Sequence, residues 1–194
     1  RLKSRAFPGG GGSSPAGRGQ AVIKGVRGMK KMKNAYMLGL MLMAGCVGMP
    51  ENVQPVRDFT LERYLGKWYE IARLDHSFER GLTNVTAEYS LLEGGGVQVV
   101  NRGYSEQQKQ WKQARGKAYF VQGADRGFLK VSFFGPFYGS YIIFELDQEH
   151  YQYALVSGPD TSYLWILARS PEMDDALKRA LIAKASRAGF DTSG

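Results

Sequence analysis

Few residues in this chain could carry covalent chemistry. There is one cysteine, Cys46, so no internal disulfide can form. The two histidines, His76 and His150, fall in segments that read as loops, where solvated imidazoles are expected. Glu70 shares parity with Trp68 and is a candidate buried carboxylate; the plainer reading pairs it with a basic group or a hydrogen bond. No Gly-x-Ser-x-Gly elbow, metal-spaced His/Cys set or glycine-rich phosphate loop occurs. No catalytic residue, metal or cofactor is therefore expected. The stronger signal is non-covalent. Gly66-Lys67-Trp68-Tyr69-Glu70 opens the first credible strand, and Tyr163-Leu164-Trp165-Ile166-Leu167-Ala168-Arg169 forms the last. Trp68 can fill the floor of a small barrel, with Arg169 laid across its ring as a cation on a π face.

Such a pair needs a closed wall to hold it. Strand-like runs recur at short, regular spacing: Lys67 to Leu74, Thr83 to Leu92, Val97 to Tyr104, Trp111 to Val121, Phe128 to Phe134, Tyr141 to Leu146, Tyr151 to Ser157 and Tyr163 to Arg169. Thr60 can cap a single turn before the first strand. The fold class is all-β: an eight-stranded antiparallel up-and-down barrel, whose closure removes exposed edges. One C-terminal helix packs outside it, with Ser170 as cap, Pro171 at its first position and Gly189 as its stop.

Alternation predicts what faces the lumen. Val85, Ala87, Tyr89 and Leu91 share a face, as do Val97, Val99 and Asn101, then Leu129, Val131 and Phe133, then Tyr163, Trp165 and Leu167. In the sixth strand Ile142 and Phe144 are placed inward, so that Glu145 meets water. The lumen is then apolar with a few hydrogen-bonding groups, the make-up of a small-molecule pocket. Phe133-Phe134-Gly135-Pro136-Phe137-Tyr138-Gly139 reads as an aromatic lip at the mouth or a contact surface. Asp75 to Leu82 reads as the other mouth loop.

The net charge of +8 is unevenly placed. Residues 1–33 hold nine Lys or Arg and no acid, whereas from residue 46 onward 17 basic face 18 acidic residues. The domain has no field to steer it to phosphate, so nucleic acid is not an expected partner. Residues 1–28 form a Gly/Ser-rich run without apolar periodicity; they are expected to be disordered upstream sequence. Residues 29–45 pair a basic start with the uncharged run Ala35 to Ala44, too short to span a membrane and the right length for a signal-peptide core. Ala44-Gly45-Cys46 resembles the bacterial lipoprotein cleavage box, with Met43 where leucine is usual. That resemblance implies acylation of Cys46, and Val47 in place of aspartate implies the outer membrane. An ordinary secretory signal is the alternative. Residues 46–57, with Pro50 and Pro55, read as a lipidated tether, and residues 58–194 as the barrel domain.

Gly66-Lys67-Trp68, extended by Tyr69-Glu70-Ile71-Ala72, and Leu167-Ala168-Arg169 resemble two motifs of the lipocalin family. A third motif is degenerate here, at Leu146-Asp147-Gln148. The Phe133 to Gly139 run and Gly158-Pro159-Asp160 are most similar to the bacterial outer-membrane branch, and more distantly to the apolipoprotein D group. Family members usually continue past the helix with a further short strand, so the end at Gly194 reads as truncated.

The resemblance implies a membrane-anchored carrier of fatty acids or lysophospholipids, serving lipid storage, transport or envelope maintenance under stress. It makes Gly66, Trp68 and Arg169 barrel-closing residues. Tyr89, Asn101 and Trp165, with Val131, Phe133 and Phe144, become the ligand-binding set. A long acyl tail in such a lumen gains on the order of 10 kcal/mol at about 0.8 per methylene. Association costs of several kcal/mol leave roughly micromolar binding. An enzyme acting on a small hydrophobic ester, or a structural lipoprotein with a filled barrel, stays open as an alternative. The aromatic lip could also support a homodimer.

Overall fold

The computed structural model describes residues 47–193. Cys46 and the signal-peptide region lie outside the described residues. Eight strands close into one antiparallel barrel in sequence order. They are β1 (Gly66–Arg73), β2 (Leu82–Leu91), β3 (Val97–Ser105), β4 (Gln110–Phe120), β5 (Phe128–Phe134), β6 (Phe137–Leu146), β7 (Tyr153–Ser157) and β8 (Leu164–Ala168). β1 pairs with both β2 and β8, which shuts the wall. A one-turn helix α1 (Leu61–Tyr64) precedes β1, and α2 (Asp175–Arg187) follows β8. Thr60 stands at the N-cap of α1, but its side chain makes no capping bond.

Two apolar layers form because each strand alternates. Trp68, Tyr89, Val99, Ile143 and Leu167 belong to the interior layer. Ile142, Leu155, Leu164 and Ile166 point outward and pack under Leu181, Ala185 and Phe190 around α2. This outer layer corrects the sequence expectation for β6. Tyr141 and Ile143 face in, whereas Ile142 and Phe144 face out, Phe144 stacking on Phe190 with ring centroids 5.6 Å apart. Where a helix covers the outer face, both faces are apolar, and polarity no longer reports which one is inside. Glu145 is no guide either. A register shift separates it from Ile143, and it bonds Lys184 of α2 rather than water alone.

Four further expectations change. Asp174, not Ser170, caps α2: its carboxylate accepts from the Leu177 N–H at 2.9 Å. Pro171 therefore lies before the helix, while Gly189 (φ 94°) does end it: the N–H groups of Gly189 and Phe190 reach back to Ser186 and Ala185. The segment read as a tether is docked. Val53 is fully buried, and Val56 exchanges backbone bonds with Ile143 and Gly127 at 2.9 Å. Its valines lack any periodicity that would announce this. Finally, β6 starts at Phe137, so the aromatic run is a tight hairpin with Phe134 and Phe137 exposed at its tip. Leu91, expected in the lumen, is exposed at the end of β2.

Candidate functional site

The floor of the barrel is built from the chain's entry. α1 brings Tyr64 over Trp68, whose indole N–H donates to the Tyr64 carbonyl at 2.8 Å. Trp68 is fully buried, and the Arg169 guanidinium lies 4.0 Å from its ring centroid. Arg169 donates to the carbonyls of Lys67, Arg63 and Tyr151. Gly66 reaches φ 89° beside it. Above this plug, the hydroxyls of Tyr64 and Tyr89 each meet that of Tyr141, at 2.8 and 2.7 Å. Burial raises the pKa of all three tyrosines, so their hydroxyls keep their protons at physiological pH.

Over the tyrosines lies a cavity of about 280 Å³, near the low end of small-ligand pockets at about 300 Å³. Ala87, Val99, Val131, Phe133 and Leu167 give it an apolar wall, and Tyr89 and Tyr141 its base. The loops after β1, β3, β5 and β7 surround its mouth. Asn101 lines it, and its Oδ1 is buried without a hydrogen-bond partner.

The mouth side carries a charged cluster. A bulge between Glu70 and Ala72 shifts parity, and Arg73 turns back to bond Glu70. The short 3-10 turn Ser77–Glu79 folds Glu79 inward, so that its carboxylate stands 3.3 Å from Arg73 Nε. The Trp165 indole N–H donates to the same carboxylate at 3.2 Å. His76 stacks on Tyr163 at 4.6 Å and packs against Trp165 at 5.2 Å. Glu70 and Glu79 both line the cavity, and the side chains of Glu70, Arg73 and Glu79 are almost wholly buried. Burial pushes Glu79 up to about 7, against the pull of Arg73. Burial and then the Glu79 charge raise Glu70 as well. Burial, helped by the Arg73 cation, lowers His76 to about 4 and keeps it neutral.

Of the six residues expected to bind a ligand, Tyr89, Asn101, Val131, Phe133 and Trp165 line this cavity together. Phe144 does not; it lies outside the wall under α2. Gly66, Trp68 and Arg169 meet at the floor. Sequence reasoning missed Tyr141, Arg73, Glu79 and His76. The last was expected in solvent and is buried instead. The one available signal was Glu70 with Arg73 three residues on, but a bulge that reverses parity leaves no mark in an alternation pattern.

Among the described residues, no cluster of His, Cys, Asp or Glu could hold a metal ion. The family model described as a lipocalin-like domain matches residues 59–194. The outer membrane lipoprotein Blc of Vibrio cholerae is 61% identical over 152 residues, covering 78% of this chain and 89% of that protein. The protein of the same name from Escherichia coli is 55% identical over 144 residues, 74% of this chain and 81% of that one. The structure of insecticyanin from the tobacco hornworm Manduca sexta shares the fold, with a TM-score of 0.59 at 23% identity over 75% of this chain and 83% of that one. The closed eight-strand wall, the Trp68–Arg169 floor and these matches lead to one conclusion: the chain belongs to the lipocalin family.

Proposed function

We propose that this protein is a lipid-binding lipoprotein of the bacterial outer membrane, which holds one fatty acid or lysophospholipid in its barrel. The observation that carries this is the closed wall around an apolar cavity of about 280 Å³. The named relatives are outer membrane lipoproteins, which supports the location. Acylation of Cys46 would anchor the chain, and the docked segment 47–57 would hold the barrel close to the bilayer. The exposed Phe134 and Phe137 at the mouth support a homodimer or a contact during transfer. Storage, transport or envelope maintenance under stress follows from such a cup. The reading is binding rather than catalysis, because the carboxylates in the cavity are engaged by Arg73 and Trp165.

Native mass spectrometry of full-length protein purified without detergent tests this. One co-purifying acyl species per barrel is expected. Protein that is empty and refuses both fatty acids and lysophospholipids would overturn it. Ala87→Trp, which fills the lumen, should abolish uptake. Cys46→Ser should move the protein from the membrane fraction to the soluble one.

A further inference from the structure

The outer wall of the barrel carries a strap, and its course decides where the chain leaves the domain. At the floor end, the Phe59 N–H donates to the Asp125 carbonyl in the loop after β4. Toward the N-terminus the strap climbs along β6. Val56 donates to the Ile143 carbonyl and accepts from the Gly127 N–H. Higher up, the Gly48 carbonyl accepts from the Ser140 hydroxyl, three residues past the start of β6 at the mouth. Gly48 also lies flush on the β7–β8 loop, where a Cβ would come within 2.9 Å of the Pro159 carbonyl oxygen. The strap thus runs from floor to mouth and ends at the mouth. Cys46 precedes Gly48 by two residues, so an acyl group on it would leave the chain within about 7 Å of Gly48.

The same end carries apolar surface that the fold does not use. Phe134 and Phe137 pair across the β5–β6 hairpin, are 63% and 79% exposed, and belong to neither apolar layer. Met49, next to Gly48, is exposed as well. Leu91 and Val121 are exposed at the opposite end, away from the strap's exit.

We propose that the mouth of the barrel faces the bilayer, with the Phe134–Phe137 hairpin dipping into the lipid beside the anchor. This rests on the acylation of Cys46 proposed above and adds an orientation to it. The occupant of the lip is a lipid surface rather than a second copy. At about 150–250 Å² for a whole aromatic side chain, two part-exposed rings offer at most roughly 400 Å². Two copies meeting there would bury about 800 Å², short of the roughly 1,200 Å² of a stable interface. A bilayer sets no such minimum and takes each ring singly. In this orientation a fatty acid or lysophospholipid passes between leaflet and cavity without crossing water.

The test uses the full-length acylated protein in vesicles of phosphatidylethanolamine and phosphatidylglycerol. Acylation consumes Cys46, the only cysteine, so one introduced cysteine takes a nitroxide label selectively. Power-saturation electron paramagnetic resonance then compares collisions with dissolved oxygen and with a water-soluble nickel chelate. On Phe137→Cys the label should be reached by oxygen and severalfold less by nickel; on Leu91→Cys, at the floor end, the order should reverse. Phe134→Cys gives the same reading by a second route if the Phe137 variant folds poorly. Nickel reaching the hairpin label as freely as the floor label overturns the orientation. So does shielding from both reagents, which marks a label turned into the cavity. So does spin–spin broadening at the hairpin that vanishes on dilution with unlabelled protein, which marks a second copy over the lip. Protein whose Cys46 carries no acyl group by mass, and which stays out of the vesicles, overturns the anchor and the orientation together. Anchored protein with its hairpin in water overturns the orientation alone.

Discussion

The barrel sets an arginine at each end, Arg169 half-buried at the floor and Arg73 fully buried at the mouth, and the two are put to opposite uses. At the floor, Arg169 covers Trp68 and gives its hydrogen bonds to backbone carbonyls of three residues. Those oxygens do not titrate, so the hold on Arg169 is insensitive to pH. At the mouth, Arg73 is held by two carboxylates that do titrate and that line the cavity. A cation bound to carbonyls closes a structure; a cation bound to carboxylates ties its end of the barrel to pH. Residue type alone does not distinguish these outcomes. The partners do.

The largest effect expected is at the floor. Trp68→Ala removes a fully buried indole and should cost about 4 kcal/mol, read as a loss of stability in urea melts at any pH. Arg73→Leu should come next and behave differently. It leaves Glu70 and Glu79 buried without their cation, at a cost of about 3 kcal/mol near pH 8. Most of this should return near pH 5, where the carboxyls hold their protons. Arg169→Leu should show no such recovery. A pH-flat Arg73→Leu would erase the contrast between the two ends.

Wild-type stability hides two opposed titrations at the mouth. Glu79 holds its proton more tightly folded (about 7) than in its ordinary state (4.5), so its contribution is full below 4.5 and is lost as pH rises through 7. His76, lowered from 6.5 to about 4, contributes above 6.5 and loses it as pH falls through 4. Between those limits they offset. Relative to wild type, Glu79→Gln should therefore tilt the profile toward stability rising with pH, by about 2 kcal/mol after allowing for solvent at the mouth, while Glu70, still raised by burial, opposes the rise. His76→Phe, which keeps a ring on Tyr163, should leave one that falls, with Glu70 adding to the slope. Asp75 and Asp160 also face His76 and soften its shift, while Arg73 enhances it. Parallel slopes in the two variants would refute the opposition.

How far the sequence reached follows the same division. The floor was readable because its parts are rare and spaced: a glycine and tryptophan opening one strand, an arginine ending another. The strand count was readable because turns punctuate a meander. The mouth was not, for two reasons. The bulge after Glu70 breaks the parity on which the reading relied, and a three-residue 3-10 turn brings Glu79 inward from what looked like a solvent loop. On β6 the cover provided by α2 removed the contrast between faces, which exchanged Phe144 for Tyr141. Alternation reports burial against water, and it fails wherever protein lies on both sides.

The smallest predictions compare a glycine from each end. Gly66 lies at φ 89°, where a Cβ is disfavoured by the backbone itself, yet the space is open: the nearest neighbour, Arg169 Nη1, would stand 3.6 Å away. Gly66→Ala should cost about 1–2 kcal/mol of stability and leave ligand affinity unchanged. Gly158 has no such φ, but a Cβ there would come within 2.6 Å of the Tyr163 Cβ. Tyr163 stacks on His76 and lines the cavity, so Gly158→Ala must push that ring across the mouth. A similar loss of stability is expected, accompanied by weaker binding of a fatty acid or lysophospholipid, measured by calorimetric titration. Should both alanines act alike on affinity, the floor and the mouth would be one coupled unit; if only the second does, the plug is a scaffold and the mouth is where recognition resides.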